Sequence, residues 1–201
     1  MTRLGVLVSG RGTNLEAILR ACDEGSLRAE VAAVLSNRKC HAMDTAVAAH
    51  VPLAKVFALD GFDGDAGARD GAMADALEEA GVDLVVCAGY DRILHEDFVS
   101  RFRGRILNVH PSLLPAFGGS MSAIAEALAA GVKETGVTIH YIEPSTVDAG
   151  TIVAQEAVPV LPDDTVETLE KRVHDVEHRL YPATIQAWID GRVPRPAGAT
   201  R

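Results

Sequence analysis

The sequence predicts an α/β fold in which a doubly wound, mostly parallel sheet has helices on both faces. Short apolar segments alternate along the chain with stretches of helical periodicity, which is the order expected of β-α-β units. The residues at 82–88 are apolar except for Asp83, which indicates a strand buried on both faces of a parallel sheet. A length of 201 residues suits one domain, so we expect a single domain over 1–201 with a polar tail at 191–201.

Apolar periodicity and turn residues assign the elements in chain order. Strands are predicted at 4–8, 29–36, 51–56 and 82–88, between Gly104 and Pro111, and at 137–141 and 152–157. Helices are predicted to begin near Leu15, at 43–49, 68–80 and 123–130, and from 164–168 to 189, with a loop at 60–67. Pro182 is expected to bend or interrupt the last helix because proline lacks the N–H that a helix interior uses.

Composition excludes several classes of protein. The net charge of −9 argues against a general nucleic-acid binder, which has a basic surface, but allows a phosphorylated small substrate. Cys22, Cys40 and Cys87 lack the spacing of a metal site or a disulfide framework, and Cys87 is expected to pack within its strand. The N-terminus lacks a signal-peptide pattern, and no apolar run approaches the roughly 20 residues of a membrane span. We therefore expect a cytoplasmic protein with no nucleic-acid or membrane partner.

The first strand ends in a glycine-rich turn at 9–14 that leads into a helix. Glycine lets the backbone turn tightly and approach a ligand, and a helix start offers unpaired amides at its positive end. Leu15 occupies the third glycine position of the dinucleotide motif, and the turn lacks the lysine of the nucleoside-triphosphate loop. The turn favours a mononucleotide-type phosphate, with a plain strand-to-helix connection as the alternative.

A second candidate site lies at the end of the strand before Pro111. Alternate strand residues share a face, so Asn108 and His110 are expected to point the same way where open α/β sheets bind ligands. The pair combines an amide hydrogen-bond donor with a group that titrates near neutral pH. The alternative is that Asn108 caps backbone groups and that His110 is a half-buried structural residue.

The run from Asn108 to Pro115, Asn-Val-His-Pro-Ser-Leu-Leu-Pro, resembles the signature of the folate-dependent formyltransferases, and the similarity extends from about Leu4 to about Ile189. The resemblance implies a formyltransferase, Rossmann-like fold, with a phosphate-binding half at 1–100 and a catalytic, folate-binding half at 101–190. It implies formyl transfer from 10-formyltetrahydrofolate to the amine of glycinamide ribonucleotide in de novo purine biosynthesis, without a metal. It leaves a homodimer open, because the sequence does not determine the oligomeric state.

The resemblance also implies roles for individual residues. Asn108 and His110, with Asp148 as the catalytic carboxylate, are implied to stabilise an oxyanion and to transfer protons. The residues implied to bind the ribonucleotide are Gly12, Thr13, Asn14, His174 and Glu177. The residues implied to line the folate pocket are Asp91, Arg92, Ile93, Leu94, Asn108, Pro144, Ser145, Thr146, Val147 and Asp148. The residues alone also allow three alternatives. Asp148 could be an ordinary aspartate in a turn, Arg92 could form a surface ion pair, and His174 and Glu177 could lie on a solvated face of the last helix.

The sequence departs from the family pattern at several positions. Relatives often have a histidine that supports the catalytic carboxylate where this chain has Met121, and an arginine that meets the folate tail where it has Ala66. Arg69, one turn along the same helix, is a candidate substitute. Arg11 occupies a position where a small polar residue is common. The family uses a histidine similar to His140 as support on the folate side, whereas the strand pattern alone also allows a core histidine.

Three other functions share parts of this pattern. A formyltetrahydrofolate deformylase has a similar catalytic half and the same catalytic residues, but usually has an additional regulatory domain, and the turn at 9–14 favours the ribonucleotide. A methionyl-tRNA formyltransferase would need an RNA-binding domain and a basic surface, which the length and the charge of −9 oppose. Outside enzymes, the alternative is a non-catalytic folate- or nucleotide-binding module, and retention of Asn108, His110 and Asp148 together argues against it.

Overall fold

The computed structural model describes residues 1–144 and 147–196, and a seven-stranded sheet forms its centre. The strands are β1 (Thr2–Val8), β2 (Ala29–Ser36), β3 (Leu53–Val56), β4 (Leu84–Cys87), β5 (Ile106–His110), β6 (Glu134–Tyr141) and β7 (Ile152–Pro159). They lie in the order β3-β2-β1-β4-β5-β6-β7. Strands β1 to β5 are parallel to one another, whereas β6 pairs antiparallel with β5 and β7. The predicted doubly wound, mostly parallel sheet is confirmed.

Helices cover both faces of the sheet. They are α1 (Thr13–Asp23), α2 (His41–Ala48), α3 (Ala66–Glu79), α4 (Glu96–Arg101), α5 (Ala123–Ala129) and α6 (Val166–Ile189). The apolar residues of α1, α2, α5 and α6 pack in one core, and those of α3 and α4 pack in a second core on the other face. Within the described part of the chain, no helix combines the length and the apolar character needed to cross a membrane.

The two cores explain the continuous apolar runs of the parallel strands. In β1, Val6 and Val8 lie in the first core while Leu7, between them, lies in the second. Cys87 of β4 is likewise buried in the second core, and burial raises the pKa of its thiol to about 12. Successive residues at the centre of such a strand face opposite cores and are apolar in both directions, which removes the alternation of a half-exposed strand.

The structure corrects four of the predicted elements. The loop expected at 60–67 contains a short 3-10 turn, Leu59–Phe62, and α3 already begins at Ala66 because the Asp65 side chain accepts a hydrogen bond from the amide of Ala68 at 3.0 Å. The third strand begins at Leu53, and α4 had no predicted counterpart. The last helix is not interrupted at Pro182, since the buried residues on either side of it hold α6 against the first core.

Candidate active site

A cavity of about 480 Å³ opens at the carboxyl ends of β1, β4 and β5. The strand order reverses there, and open α/β sheets bind ligands at such a position. The cavity is lined by Gly10, Arg11, Gly12, Thr13, Asn14, Ala88, Gly89, Val109, Pro111, the residues at 121–125, Val166, Glu170, His174 and Glu177. The five residues assigned to a ribonucleotide thus line one cavity, although two of them come from the far end of the chain. We call it the substrate cavity.

Gly12 determines the shape of the turn that forms one wall of the substrate cavity. Its φ of +86° is a left-handed conformation, and a Cβ atom there would lie 2.6 Å from the Cβ of Ala42. The Ala42 amide donates a hydrogen bond to the carbonyl of Gly10 at 3.1 Å, which fixes the turn against the start of α2. Helix α1 begins at Thr13, so its unpaired amides and positive dipole end lie at the cavity. This arrangement suits a phosphate.

Helix α6 adds titratable groups to the same cavity. The amide nitrogen of Asn14 donates to Oε2 of Glu177 at 2.8 Å, and Glu177 is only 4% exposed. Burial raises the pKa of Glu177 above its ordinary value, against the effect of the Asn14 hydrogen bond. His174 Nε2 lies 3.9 Å from Oε1 of Glu170. A protonated or ionised carboxyl beside an imidazole and an amide can both donate to and accept from the hydroxyl groups of a sugar.

The second candidate site lies on the other side of β5. Val109 lines the substrate cavity, while Asn108 and His110 share the opposite face, as the strand period of two requires. Asp148 lies against both, with Oδ2 3.3 Å from His110 Nδ1 and Oδ1 3.5 Å from Asn108 Nδ2. His140, opposite Asn108 in β6, lies 3.4 Å from Asp148 Oδ1. We call these four residues the Asp148 cluster. Asn108 and His110 therefore share a face, as predicted.

Both ring nitrogens of His110 face hydrogen-bond acceptors. Nε2 lies 2.9 Å from the carbonyl oxygen of Phe117, and Nδ1 faces the carboxylate of Asp148. A carbonyl oxygen can only accept, so Nε2 bears a proton in this arrangement, and a proton on Nδ1 suits the carboxylate. The imidazolium is the form that satisfies both neighbours, and it is a proton donor buried at a strand end.

Asp148 is held in an ionised state by its neighbours. Its pKa is lowered chiefly by the hydrogen bond with His140, against burial, and further by the amide of Gly119 at 2.9 Å and the charge of His110. Its φ of +47° is a left-handed conformation that aspartate and asparagine tolerate better than most residues do. Met121, where the family resemblance led us to expect a supporting histidine, is 78% exposed and lines the substrate cavity. In this chain the support comes from Gly119 and His140.

His140 is the site residue that sequence reasoning left least determined. Nδ1 lies 2.9 Å from the carbonyl of Tyr141, while Nε2 lies 3.1 Å from the Asn108 amide nitrogen as well as close to Asp148. A protonated Nε2 donates to the carboxylate, and a neutral one accepts from Asn108. His140 is 1% exposed, so the alternation of β6 alone could not distinguish it from an ordinary core residue. What identifies it as a site residue is its pairing opposite Asn108 in the sheet.

The loop after β4 ties three strand ends together through Asp91. Its carboxylate accepts a hydrogen bond from Asn37 at 3.1 Å and forms an ion pair with Arg38, and its amide donates to Oγ of Ser9 at 3.0 Å. The Asp91 side chain is therefore directed towards the ends of β1 and β2. Arg92 pairs with the same carboxylate at 3.6 Å, which is the surface ion pair considered above.

The other residues assigned to folate differ sharply in exposure. Ile93 is 76% exposed, whereas Leu94 is 7% exposed and packs in the second core. Pro144 is half-buried and Val147 is 53% exposed, while Ser145 and Thr146 lie outside the described residues. Arg69 is 3% exposed and forms an ion pair with Asp70 at 2.7 Å, so it does not offer a guanidinium to a folate tail.

Two buried hydroxyl groups, which the sequence analysis did not single out, form hydrogen bonds with the backbone around the two sites. The Tyr181 hydroxyl of α6 lies 3.1 Å from the carbonyl of Cys87 and 2.8 Å from that of Leu107, so it bridges β4 and β5 beneath the substrate cavity. The Thr138 hydroxyl of β6 donates to the carbonyl of Ser112 at 2.7 Å and accepts from the amide of Leu114 at 3.0 Å. These contacts fix the segment that follows His110.

Comparison with known proteins gives consistent matches over nearly the whole chain. The family model described as formyl transferase matches residues 2–185. A phosphoribosylglycinamide formyltransferase of Haemophilus influenzae is 40% identical over 194 residues, which cover 96% of this chain and 90% of the relative. The crystal structure of glycinamide ribonucleotide transformylase 1 from Symbiobacterium toebii superimposes with a TM-score of 0.93 at 43% identity, covering 98% of this chain and 92% of that one. A formyltetrahydrofolate deformylase from Pseudomonas syringae is more distant, with a TM-score of 0.86 at 26% identity and coverage of 98% of this chain and 64% of that one.

Proposed function

The chain belongs to the formyl transferase family, as an enzyme of the phosphoribosylglycinamide formyltransferase type, and on this basis we propose that it formylates the amine of glycinamide ribonucleotide in purine biosynthesis. Family membership implies a folate-type formyl donor, which we identify with 10-formyltetrahydrofolate. The observation that supports the proposal is the Asp148 cluster, which lies directly across β5 from the substrate cavity.

The substrate cavity is proposed to hold the ribonucleotide. The amides around Gly12, Thr13 and Asn14 receive the phosphate at the start of α1, where the helix dipole favours an anion. Glu177 and His174 then face the ribose, whose hydroxyls can donate to the carboxyl and accept from the imidazole. The amine end extends past Pro111, the lining residue that follows the end of β5, towards the Asp148 cluster.

The reaction is proposed to begin with attack of the substrate amine on the formyl carbon of the folate. A C–N bond forms, the carbonyl π electrons move to oxygen, and a tetrahedral oxyanion results. We propose that this oxyanion takes the position of the Phe117 carbonyl at Nε2 of His110. The second donor is the Asn108 N–H that lies only loosely against Asp148, at 3.5 Å. A single such donor contributes about 3 kcal/mol to transition-state stabilisation in known cases.

Asp148 is proposed to organise the proton transfers that complete the reaction. The attacking nitrogen loses a proton, and the folate nitrogen gains one as its bond to the formyl carbon breaks and the oxyanion collapses to the new amide. An ionised Asp148 beside His110 can accept the first proton, directly or through water, and support a protonated His110 throughout. No covalent enzyme intermediate is needed, because the amine itself is the nucleophile.

The folate is proposed to bind beside the Asp148 cluster, between the loop at 91–94 and the segment that contains Pro144, Ser145, Thr146 and Val147. Exposed Ile93 and Val147 are the apolar side chains available to flank a pterin ring. For Asp91, Arg92 and Leu94 the proposal concerns backbone groups, since their side chains are engaged in ion pairs or in the second core. The half at 1–100 is thus proposed to bind the phosphate, and the half at 101–190, together with the loop at 91–94, is proposed to bind the folate.

A turnover assay with purified protein and 10-formyltetrahydrofolate, with and without glycinamide ribonucleotide, tests the proposal. Release of tetrahydrofolate only when the ribonucleotide is present, together with a formylated product, is the expected result. Equal release with and without the ribonucleotide would instead identify a hydrolase like the deformylase, which the shared fold makes the second candidate. Bound folate with no release under either condition would contradict both enzymatic functions.

A further inference from the structure

The substrate cavity contains an arginine, Arg11, that has no role in the backbone phosphate site described above. Among the described residues that line it, Arg11 is the only lysine or arginine, while Glu170 and Glu177 contribute carboxyl groups. We infer that Arg11 binds the phosphate of the substrate and makes the enzyme selective for the phosphorylated form. The inference rests on the proposed function, which it extends from the reacting amine to the opposite end of the substrate.

The charges around the cavity supply the first argument. The protein has a net charge of −9, and the carboxyl groups of Glu170 and Glu177 lie on the same cavity that is proposed to receive a phosphate dianion. Whichever of these carboxyl groups is ionised repels the phosphate unless an opposite charge compensates. The positive end of α1 is equivalent to only about half an elementary charge. A guanidinium on the same wall more than doubles the positive charge that the phosphate meets.

The second argument is that Arg11 is unengaged. The side chains of Arg38, Arg101 and Arg172 are held in ion pairs with Asp91, Glu78 and Asp164. Among residues 1–144 and 147–196, no carboxylate or carbonyl pairs with the Arg11 side chain, which is exposed at the mouth of the cavity. Binding a phosphate therefore breaks no existing ion pair, and the loss is confined to hydration and side-chain freedom.

The third argument is position along the chain. Arg11 lies between Gly10, whose carbonyl is fixed by the Ala42 amide, and Gly12, the N-cap residue of α1. The guanidinium stem thus starts from a rigid point next to the amides that bind the phosphate. Arginine can form two parallel hydrogen bonds to phosphate oxygens, whereas lysine acts as a point charge. The backbone amides and the Arg11 guanidinium can therefore donate hydrogen bonds to the same phosphate.

The test compares Arg11→Gln and Arg11→Lys with the matched control Arg103→Gln. Arg103 is also exposed and without an ion pair in the described part of the chain, but it does not line the substrate cavity. Glycinamide ribonucleotide and its dephosphorylated ribonucleoside serve as substrates. We expect Arg11→Gln to raise KM for the ribonucleotide about tenfold, with kcat within about twofold and KM for the ribonucleoside unchanged. The KM of Arg11→Lys for the ribonucleotide should lie between those of the wild type and Arg11→Gln, and the KM of Arg103→Gln should match that of the wild type.

Salt supplies a readout that a merely structural role would not change. Since ions screen exposed charges, KM for the ribonucleotide should rise between 50 and 200 mM salt more steeply in the wild type than in Arg11→Gln. An unchanged KM in Arg11→Gln, or equal increases for both substrates, would overturn the inference while leaving the transferase intact. If the wild type formylates neither substrate, calorimetric binding of ribose 5-phosphate decides: weaker binding by Arg11→Gln supports the phosphate contact, and equal binding refutes it.

Discussion

Replacing Asp148 with asparagine is the most informative single change in the Asp148 cluster. Asparagine keeps the shape, tolerates the φ of +47° and can still accept a hydrogen bond from the Gly119 amide, which lies at 2.9 Å from Oδ2. It removes the negative charge that lies 3.3 Å from His110 and 3.4 Å from His140. At an effective dielectric constant of about 20, a charge pair at this distance interacts with about 5 kcal/mol before desolvation is subtracted.

Desolvation and water rearrangement reduce that figure, so we expect a net loss of about 3 to 4 kcal/mol in transition-state stabilisation. This corresponds to a decrease in kcat of about 150- to 1,000-fold, with KM for both substrates within about threefold. Steady-state kinetics on Asp148→Asn and the wild type measure both parameters. A large rise in KM with kcat preserved would show that Asp148 binds substrate instead of supporting the reaction.

Stability provides an independent check of the same substitution. The pKa of Asp148 is lowered in the folded protein, so its ionised form stabilises the fold at neutral pH, and this contribution is lost as the pH falls through the folded pKa. Asp148→Asn should therefore lower the melting temperature at pH 7 and approach the wild type below about pH 4. Asp190→Asn is the matched control: its carboxylate also has a lowered pKa, from Arg192 at the end of α6, but it lies away from both sites and should leave kcat unchanged.

Three further predictions concern the walls of the two sites. Burial raises the pKa of Glu177, so its contribution to stability is greatest below the unfolded pKa and is lost as the pH rises through the folded pKa. The melting temperature of Glu177→Gln, whose side chain still accepts a hydrogen bond from Asn14, should therefore increase relative to that of the wild type as the pH rises from 5 to 8. A difference in melting temperature that is constant with pH would contradict this. Gly12→Ala should cost about 3 kcal/mol in urea unfolding because of its φ and the contact with Ala42, whereas Gly10→Ala, with no atom within 4 Å of its Cβ, should be nearly neutral. Leu94→Ala should lower the free energy of unfolding by about 2 to 4 kcal/mol, because Leu94 packs in the second core. Ile93→Ala should raise KM for the folate and leave stability unchanged, because Ile93 is exposed. Loss of stability in Ile93→Ala and a higher KM in Leu94→Ala would show that the loop has another orientation.

The residues that were predictable from sequence are those whose local pattern has a single physical explanation. Continuous apolar runs in β1 and β4 require burial on both faces, so they indicate a parallel sheet, and the period of two in β5 separates Asn108 and His110 from Val109. Glycines before a helix similarly indicate the turn at Gly12. In each case the neighbours along the chain contain the information.

The features that were missed depend on partners distant in sequence. The role of His140 arises from its register opposite Asn108, and that of Asp91 from the ends of β1 and β2. Helix α4 has only six residues, which is too short for apolar periodicity to develop. Pro182 was expected to bend or interrupt α6; the helix is not interrupted there, because propensity yields to tertiary packing where the flanking residues are buried.

Under the proposed function, strand β5 explains why the phosphate end and the reacting end of the substrate would meet such different groups. Val109 faces the substrate cavity, whereas its neighbours Asn108 and His110 belong to the Asp148 cluster on the opposite face. A ligand that reaches both must therefore cross the sheet edge at Pro111, just after the strand ends. The cavity side provides amides, a helix terminus and Arg11, which suit a permanent anion. The cluster side is buried and provides proton donors held by a carboxylate, which suit a negative charge that exists only during the reaction. A change of one residue in the register of β5 would exchange these faces, so the geometry of this strand couples binding to chemistry.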